Sequence, residues 1–507
     1  MKNVKKIMAL LVAMVMILAM SVTAFASETP ATYTITMDSS SGHTYTAYQV
    51  FKGDLEGSTS TLSNIQWGDD VNGEDLLSAL KEDETYGSKF TNCTTASDVA
   101  KVLGTYTSNS DGINAIAKII AANKKGDGHS GTTSITGLAA GYYLVVDSTA
   151  ASDMPAGNTY SDFMLEVVKD VNITAKDTTT TSEKKVKDIN DSTAASATGD
   201  NYTDWQDSAD YDVNDVVPFK LTGTVASDYA KYETYYFAFH DKESDGLTFN
   251  SDSVKVYVDG EEITTGYEVK TTGLENGCTF EVVFNNLKTI TSVKAGSVIT
   301  VEYTSTVNEN AVMGSAGNPN TSYIEFSNNP NGDQHGKTPD DTVIVFTYKV
   351  VVNKVDENKD PLEGAGFTLY KKNDTGAYVA VGEELKGDAM TTFTWNRLDD
   401  GDYRLVETTT PSGKNTIDPI EFTITANHEV LSDSPALNSL SGNVTSGVAE
   451  FTASVPDGSL TTNVVNESGA VLPSTGGMGT TMLYLGGAIL VLGAGILLIT
   501  RRRMAAK

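Results

Sequence analysis

The sequence predicts a mainly β protein made of tandem β-sandwich domains, and three observations carry that expectation. Short alternating runs recur, as in Val254-Lys255-Val256-Tyr257-Val258 before the turn signal Asp259-Gly260, and again over Cys278–Phe284 and Ser297–Val307. Runs of this length, bounded by Gly, Asn and Asp, read as strands and turns. Thr, Ser, Gly, Val and Tyr are abundant, which suits half-buried pleated surfaces. The length, 507 residues, allows about three domains of ordinary size once the two ends are set aside.

Taken in order, residues 1–26 read as a secretory signal peptide. Lys2, Lys5 and Lys6 precede an apolar stretch from Ile7 to Met20, and Ala24-Phe25-Ala26 is a small-x-small site, with cleavage after Ala26. Residues 27–176 are mixed. Tyr33, Ile35 and Met37 alternate with threonines and predict a strand. Three helical stretches follow, over 74–81, 96–103 and 111–123, the last with Ile113, Ile116 and Ile120 on one face. Strands return over 141–146 and 163–168, which gives a β-rich domain with a helical insertion. A threonine-rich joint opens the second region, 177–346, which reads as strands throughout. The third, 347–470, is shorter and also all β. The run 342–355 ends one domain and begins the next without a linker, which predicts a stiff join. Residues 471–507 hold Leu472-Pro473-Ser474-Thr475-Gly476, an apolar run from Met482 to Thr500, and Arg501-Arg502-Arg503. That run is about 19 residues, near the length a helix needs to cross a bilayer, and the arginines place the tail on the cytoplasmic side.

Composition excludes several functions. There are 36 Lys and Arg against 66 Asp and Glu, a formal charge of −30. Both end segments carry bases and no acids, so the part between them is more acidic still. Such a surface lacks the basic footprint that nucleic acid requires and reads as solvated and self-repelling. The two cysteines, Cys93 and Cys278, fall in different regions and read as small, partly buried apolar residues rather than a disulfide. Asp356-x-Asn358-x-Asp360 begins like a calcium loop, but Pro361 stands where the loop needs Gly and Phe367 where it needs Glu. Five scattered histidines predict no zinc site, and no metal or cofactor is expected. Neither a G-x-S-x-G elbow nor a phosphate-binding loop is present. A secreted enzyme is therefore the weaker reading.

The C-terminal order of pentapeptide, apolar span and basic tail resembles the cell-wall sorting signal of Gram-positive surface proteins. The resemblance implies that a sortase cuts between Thr475 and Gly476 and passes the Thr475 carboxyl to an amine. The third region resembles a Cna B-type domain. Val350-Val351-Val352-Asn353-Lys354 leads into Pro361-Leu362-Glu363-Gly364-Ala365-Gly366-Phe367, and Tyr403-Arg404-Leu405-Val406-Glu407-Thr408-Thr409-Thr410-Pro411 matches the E-box Y-x-L-x-E-T-x-x-P. The resemblance implies an intramolecular isopeptide bond from Lys354 to Asn466, with Asn463 as alternate, promoted by Glu407. Strand parity agrees, because Lys354, Glu407 and Asn466 each share a face with apolar neighbours. In a core, burial lowers a lysine pKa and raises that of a carboxyl, which suits attack by a neutral amine.

The second region resembles the isopeptide-forming middle domain of shaft pilins, through Glu183-Lys184-Lys185-Val186, Phe239-His240-Asp241 and Tyr323-Ile324-Glu325-Phe326-Ser327-Asn328-Asn329-Pro330. It implies a Lys184–Asn328 bond with Asp241 as promoting acid. Lys185, Lys187 and Asn329 stay open as alternates, and His240 is a structural neighbour. The opening strand of the first region has no lysine, so no bond is expected there. Lys176 stands where shaft pilins carry the lysine of a Tyr-Pro-Lys motif, though without the Tyr-Pro. The resemblance as a whole is to a sortase-assembled fimbrial shaft pilin with tandem Ig-like and Cna-type sandwiches. Its partners would be sortase, neighbouring subunits in a covalent homopolymer, peptidoglycan and a host surface ligand. The rival is a monomeric wall-anchored adhesin or a tip or basal pilin.

Overall fold

The computed structural model describes residues 31–37, 42–56, 61–106, 111–173, 179–192, 202–469 and 479–504. The signal segment, Lys176 and Leu472–Gly476 lie outside the described residues.

Tyr33–Met37 pairs antiparallel with Ser134–Leu138 and parallel with Val171–Ile173. A second sheet runs Thr61–Trp67, Tyr45–Glu56, Gly141–Asp147, Asp162–Val167. The helices Gly73–Glu82, Ala96–Leu103 and Asp111–Ala122 interrupt the strands. Ile113, Ile116 and Ile120 pack with Leu76, Leu80, Val99 and Leu103 against Val50, Phe51 and Leu144 of the sheet. That is the single apolar face the isoleucine spacing predicts. The helix Ala96–Leu103 opens on a capping box between Thr95 and Asp98, which satisfies two backbone donors and fixes its start.

Residues 181–346 form two facing sheets. One is ordered Ser208–Asp210, Asp341–Phe346, Asn318–Ser327, Phe237–Glu243, Phe280–Phe284, Glu268–Lys270. The other is ordered Glu261–Ile263, Leu247–Val258, Val298–Val307, Val216–Thr224, Thr181–Val186. Ile299, Val301, Tyr303, Ser305 and Val307 face inward at every second residue, the period that puts one side of a strand into a core. Asp259 and Gly260 both have positive φ, 49° and 89°, and close the hairpin onto Glu261–Ile263.

In residues 348–466 the opening strand, Tyr348–Asp356, lies between Thr392–Leu398, antiparallel, and the last strand, Ser459–Asn466, parallel. Gly366–Lys372, Gly401–Thr409, Ile420–His428 and Leu437–Ser446 build the facing sheet. Tyr348, Val350, Val352, Phe367, Leu369, Tyr403 and Leu405 fill the space between.

Only Thr347, fully buried, separates the strands Asp341–Phe346 and Tyr348–Asp356. Contacts across this join are dense. Lys371 Nζ donates to Asp212 at 2.6 Å and to Asp191 at 3.1 Å, Asn190 Nδ2 donates to Asp400 at 2.6 Å, and Gly314 N donates to Thr347 O at 3.0 Å. Gly314 and Gly458 meet backbone to backbone, both with positive φ; a Cβ on Gly314 would lie 2.4 Å from Gly458 N. Glycine is required there both for conformation and for closeness.

The helix Gly479–Met504 contains Leu483–Arg502, with mean hydropathy 2.2 and no part buried against the protein. It is long and apolar enough to cross a membrane.

Candidate sites of covalent cross-linking

In the third sandwich the fold brings Lys354, Glu407 and Asn466 together. The three come from the opening strand, the E-box strand and the last strand. Alternation points each inward, and exposures are 0%, 5% and 0%. Lys354 is in register with Val464, and Asp356 with Asn466, so the lysine sits two residues below the asparagine on one face. Asn466 Nδ2 donates to Glu407 Oε2 at 3.0 Å and to Asn415 O at 2.5 Å. Lys354 Nζ reaches only backbone oxygens, Val464 O at 2.8 Å and Val355 O at 3.2 Å. Burial pulls its pKa down to about 8, against the opposing pull of Glu407. Among the described residues Glu407 Oε1 and Asn466 Oδ1 have no hydrogen-bond partner. The alternate Asn463 is exposed on the outer face and accepts from Asn353 at 3.2 Å.

A pH effect follows for the unlinked domain. In Asn466→Ala no bond can form, and Lys354 keeps its depressed pKa. Between about 8 and 10.5 the unfolded lysine holds a proton that the folded one has lost. Stability of this variant should therefore rise as pH climbs through that window. Denaturant midpoints across the window check it. A wild type whose Lys354 amine has become an amide should show no such slope.

The middle sandwich holds a similar group with one partner changed. Lys184 Nζ donates to Asp241 Oδ2 at 2.5 Å and to Tyr303 Oη at 2.8 Å. Tyr303 Oη donates to Asp241 Oδ2 at 2.9 Å. All three side chains are buried, and Lys184 Nζ lies over the rings of Phe219 and Tyr303, which stack on each other. Burial lowers the pKa of Lys184 and raises that of Asp241, each opposed by the other's charge. Both directions favour a neutral amine beside a neutral acid. A second acid, Glu243, accepts from Ser305 Oγ and is pushed up to about 8 by burial and by Asp241.

The asparagine at this site is Asn320, not Asn328. Asn320 Nδ2 donates to Tyr303 Oη at 3.0 Å and to Glu243 Oε1 at 3.3 Å, and its Oδ1, like Asp241 Oδ1, has no partner among the described residues. Asn320 is in register with Glu243, and Ser322 with Asp241. Asn328 lies past the end of the same strand, where Phe326 is already level with Phe237. Its backbone bonds Gln334 and Tyr160 instead. Eight residues of strand separate the two asparagines by roughly 27 Å. Parity could not tell them apart, because both have the inward phase; only the cross-strand register does. Lys185 pairs with Asp207 at 2.6 Å near the surface, Lys187 lies over the Trp205 ring, and Asn329 Nδ2 bonds Gln334. Sequence reasoning missed Tyr303 as well. Its inward phase was legible, but its meeting with Lys184 depends on how the two sheets face.

The sequence of residues 348–434 matches the SpaA prealbumin-like fold domain, a stretch that includes Lys354 and Glu407. Over 335 residues the chain is 26% identical to the trypsin-resistant surface T6 protein of Streptococcus pyogenes serotype M6. The alignment covers 52% of this chain and 60% of that protein, so the chain spans under two thirds of its relative's length. In structure it is similar to the three-domain T6 backbone pilin of the same serotype, with TM-score 0.52 and 18% identity, over 88% of this chain and 100% of that one. Against the full-length major pilin SpaD of Corynebacterium diphtheriae the TM-score is 0.49 at 16% identity, over 88% and 99%.

Proposed function

We propose that this chain, similar in sequence and fold to Gram-positive backbone pilins, is a structural subunit of a covalent surface pilus, most simply its shaft. One observation carries the reading: two successive sandwiches each gather a buried lysine, a buried acid and an asparagine amide on separate strands. In both, one oxygen of the acid and the Oδ1 of the amide have no partner among the described residues. A binding surface has no use for such groups deep in a core, where an orphaned oxygen costs on the order of 1–3 kcal/mol.

The chemistry that uses them is formation of an amide. Neutral Lys354 Nζ attacks Cγ of Asn466 while the acid proton of Glu407 polarises Oδ1. The Nζ–Cγ bond forms, a proton passes by way of the carboxyl to Nδ2, and the Cγ–Nδ2 bond breaks with release of ammonia. Lys184 and Asn320 react in the same way beside Asp241, with Tyr303 bridging amine and amide. Each site reacts once, on itself, and the chain turns over no external substrate.

The resulting bonds stand in for disulfides. In the third sandwich the bond ties the first strand to the last, which lie parallel and adjacent. Tension on the two ends is then borne by covalent linkage rather than by a hydrogen-bonded ladder. Sortase is the proposed partner at both steps of assembly. It joins Thr475 of one subunit to Lys176 of the next, and joins the last subunit to peptidoglycan. The helix Leu483–Arg502 would hold the precursor in the membrane until cleavage. The finished fibre would stand on the cell wall and support adhesion to a host surface. Wall-released protein run on a denaturing gel tests the role: a high-mass ladder is expected, and a single monomer band would favour a wall-anchored adhesin instead.

A further inference from the structure

His240 stands next to Asp241 on the strand Phe237–Glu243 and points to the other side of the sheet. Its cross-strand neighbours are Glu281 and Tyr323. The imidazole stacks on Tyr323 at 4.6 Å with 5° between planes, so its orientation is fixed. Nδ1 lies 3.2 Å from Glu281 Oε1 and 3.9 Å from Cys278 Sγ. Cys278, partly exposed, ends the turn that leads into the strand Phe280–Phe284. One ligand atom from each of His240, Cys278 and Glu281 lies within 4.8 Å of the others.

These spacings are close to those of a tetrahedral zinc centre. Bonds of about 2.0–2.2 Å to nitrogen and oxygen and about 2.3 Å to sulfur put the ligand atoms roughly 3.3 Å apart for N and O, and roughly 3.6 Å for N and S. The two observed separations differ from these by a few tenths of an ångström. The far side of the ring is also prepared. Nε2 lies 3.2 Å from Glu325 Oε2, and the other oxygen of that carboxylate is 2.7 Å from His335 Nδ1. A carboxylate on the second nitrogen is the usual support for a metal-bound histidine, since it sets the tautomer and raises ligand basicity.

We propose that His240 Nδ1, Cys278 Sγ and Glu281 bind a borderline-soft divalent cation, zinc by preference, with water in the fourth position. The donor set selects the ion: thiolate and imidazole favour zinc, whereas calcium and magnesium take oxygen alone. Binding displaces the thiol proton and leaves the imidazole neutral, with its remaining proton on Nε2, 3.2 Å from Glu325 Oε2. The metal ties the turn carrying Cys278 to the strand whose reverse face carries Asp241. Scattered histidines in the sequence gave no hint of this, because the three ligands meet only through strand pairing. The inference does not depend on the proposed pilus role.

The test is titration of the reduced full-length chain with zinc against a chromophoric chelator, and with cobalt by absorption. One equivalent should bind. Cobalt should give tetrahedral d–d bands with a thiolate charge-transfer band, and zinc should raise the melting temperature. Cys278→Ser, a near-isosteric change at a partly exposed position, should abolish the charge-transfer band and weaken zinc binding at least about tenfold. Glu325→Gln, in the supporting shell, should weaken it by about 10–100-fold. Cys93→Ser should change neither. Absence of stoichiometric binding in the wild type would overturn the proposal. So would zinc affinity and a cobalt spectrum that survive Cys278→Ser unchanged.

Discussion

Lys354→Ala should strip the third sandwich of on the order of 4–5 kcal/mol, the stabilisation expected when a cross-link closes a loop of about a hundred residues. The loop from Lys354 to Asn466 encloses nearly all of this sandwich, so the unfolded chain is restricted as far as one bond can restrict it. For a domain of this size each kcal/mol is worth about 4–8 °C, so the melting temperature should fall by roughly 20 °C or more. Calorimetry and limited proteolysis check this. Lys349→Ala is the control, since Lys349 is half-buried on the other face of the same strand. If Lys354→Ala and Lys349→Ala melt together, no bond joins the first and last strands.

Polymer formation should be lost altogether in Lys176→Ala. Transpeptidation needs an exposed, nucleophilic amine. Lys184 and Lys354 are fully buried, and the proposed chemistry would consume their amines. Lys176 precedes Thr178-Thr179-Thr180-Thr181 in sequence, between the strands Val171–Ile173 and Thr181–Val186. The expected gel shows no high-mass ladder but retains monomer on the wall, because Thr475 is unchanged. Alteration of Leu472–Gly476 should remove both species. A ladder that persists in Lys176→Ala would move the acceptor to another lysine, and the missing Tyr-Pro before Lys176 would be the reason.

Much of the fold was legible because periodicity is local. The alternation of Val254–Val258, the isoleucine stripe at 113, 116 and 120, and the turn at Asp259-Gly260 each reappear in the structure. The third-sandwich site was legible for a second reason: its E-box fixes the position of Glu407 along the strand as well as its face. The middle site was legible only in part. Lys184 and Asp241 were found, but parity, which favoured Asn328 over Asn329, repeats every two residues and says nothing of height, so Asn320, on the same phase, went unnoticed. Height is set by pairing between Phe237–Glu243 and Asn318–Ser327, and pairing is not written in either strand alone. The cluster around His240 was invisible for the same reason, since Cys278, Glu281 and Glu325 reach it from other strands and turns.

The proposed internal bonds are the central claim, and their direct test is the mass of the folded monomeric ectodomain, produced without sortase. Intact mass should be lighter than the processed sequence by two ammonia molecules. Digestion should yield two branched peptides, one joining Lys184 to Asn320 and one joining Lys354 to Asn466. Asn320→Ala should restore one ammonia, whereas Asn328→Ala should leave the mass deficit at two. An unmodified mass would contradict both bonds, and a branched peptide joining Lys184 to Asn328 would contradict the geometry of the middle site.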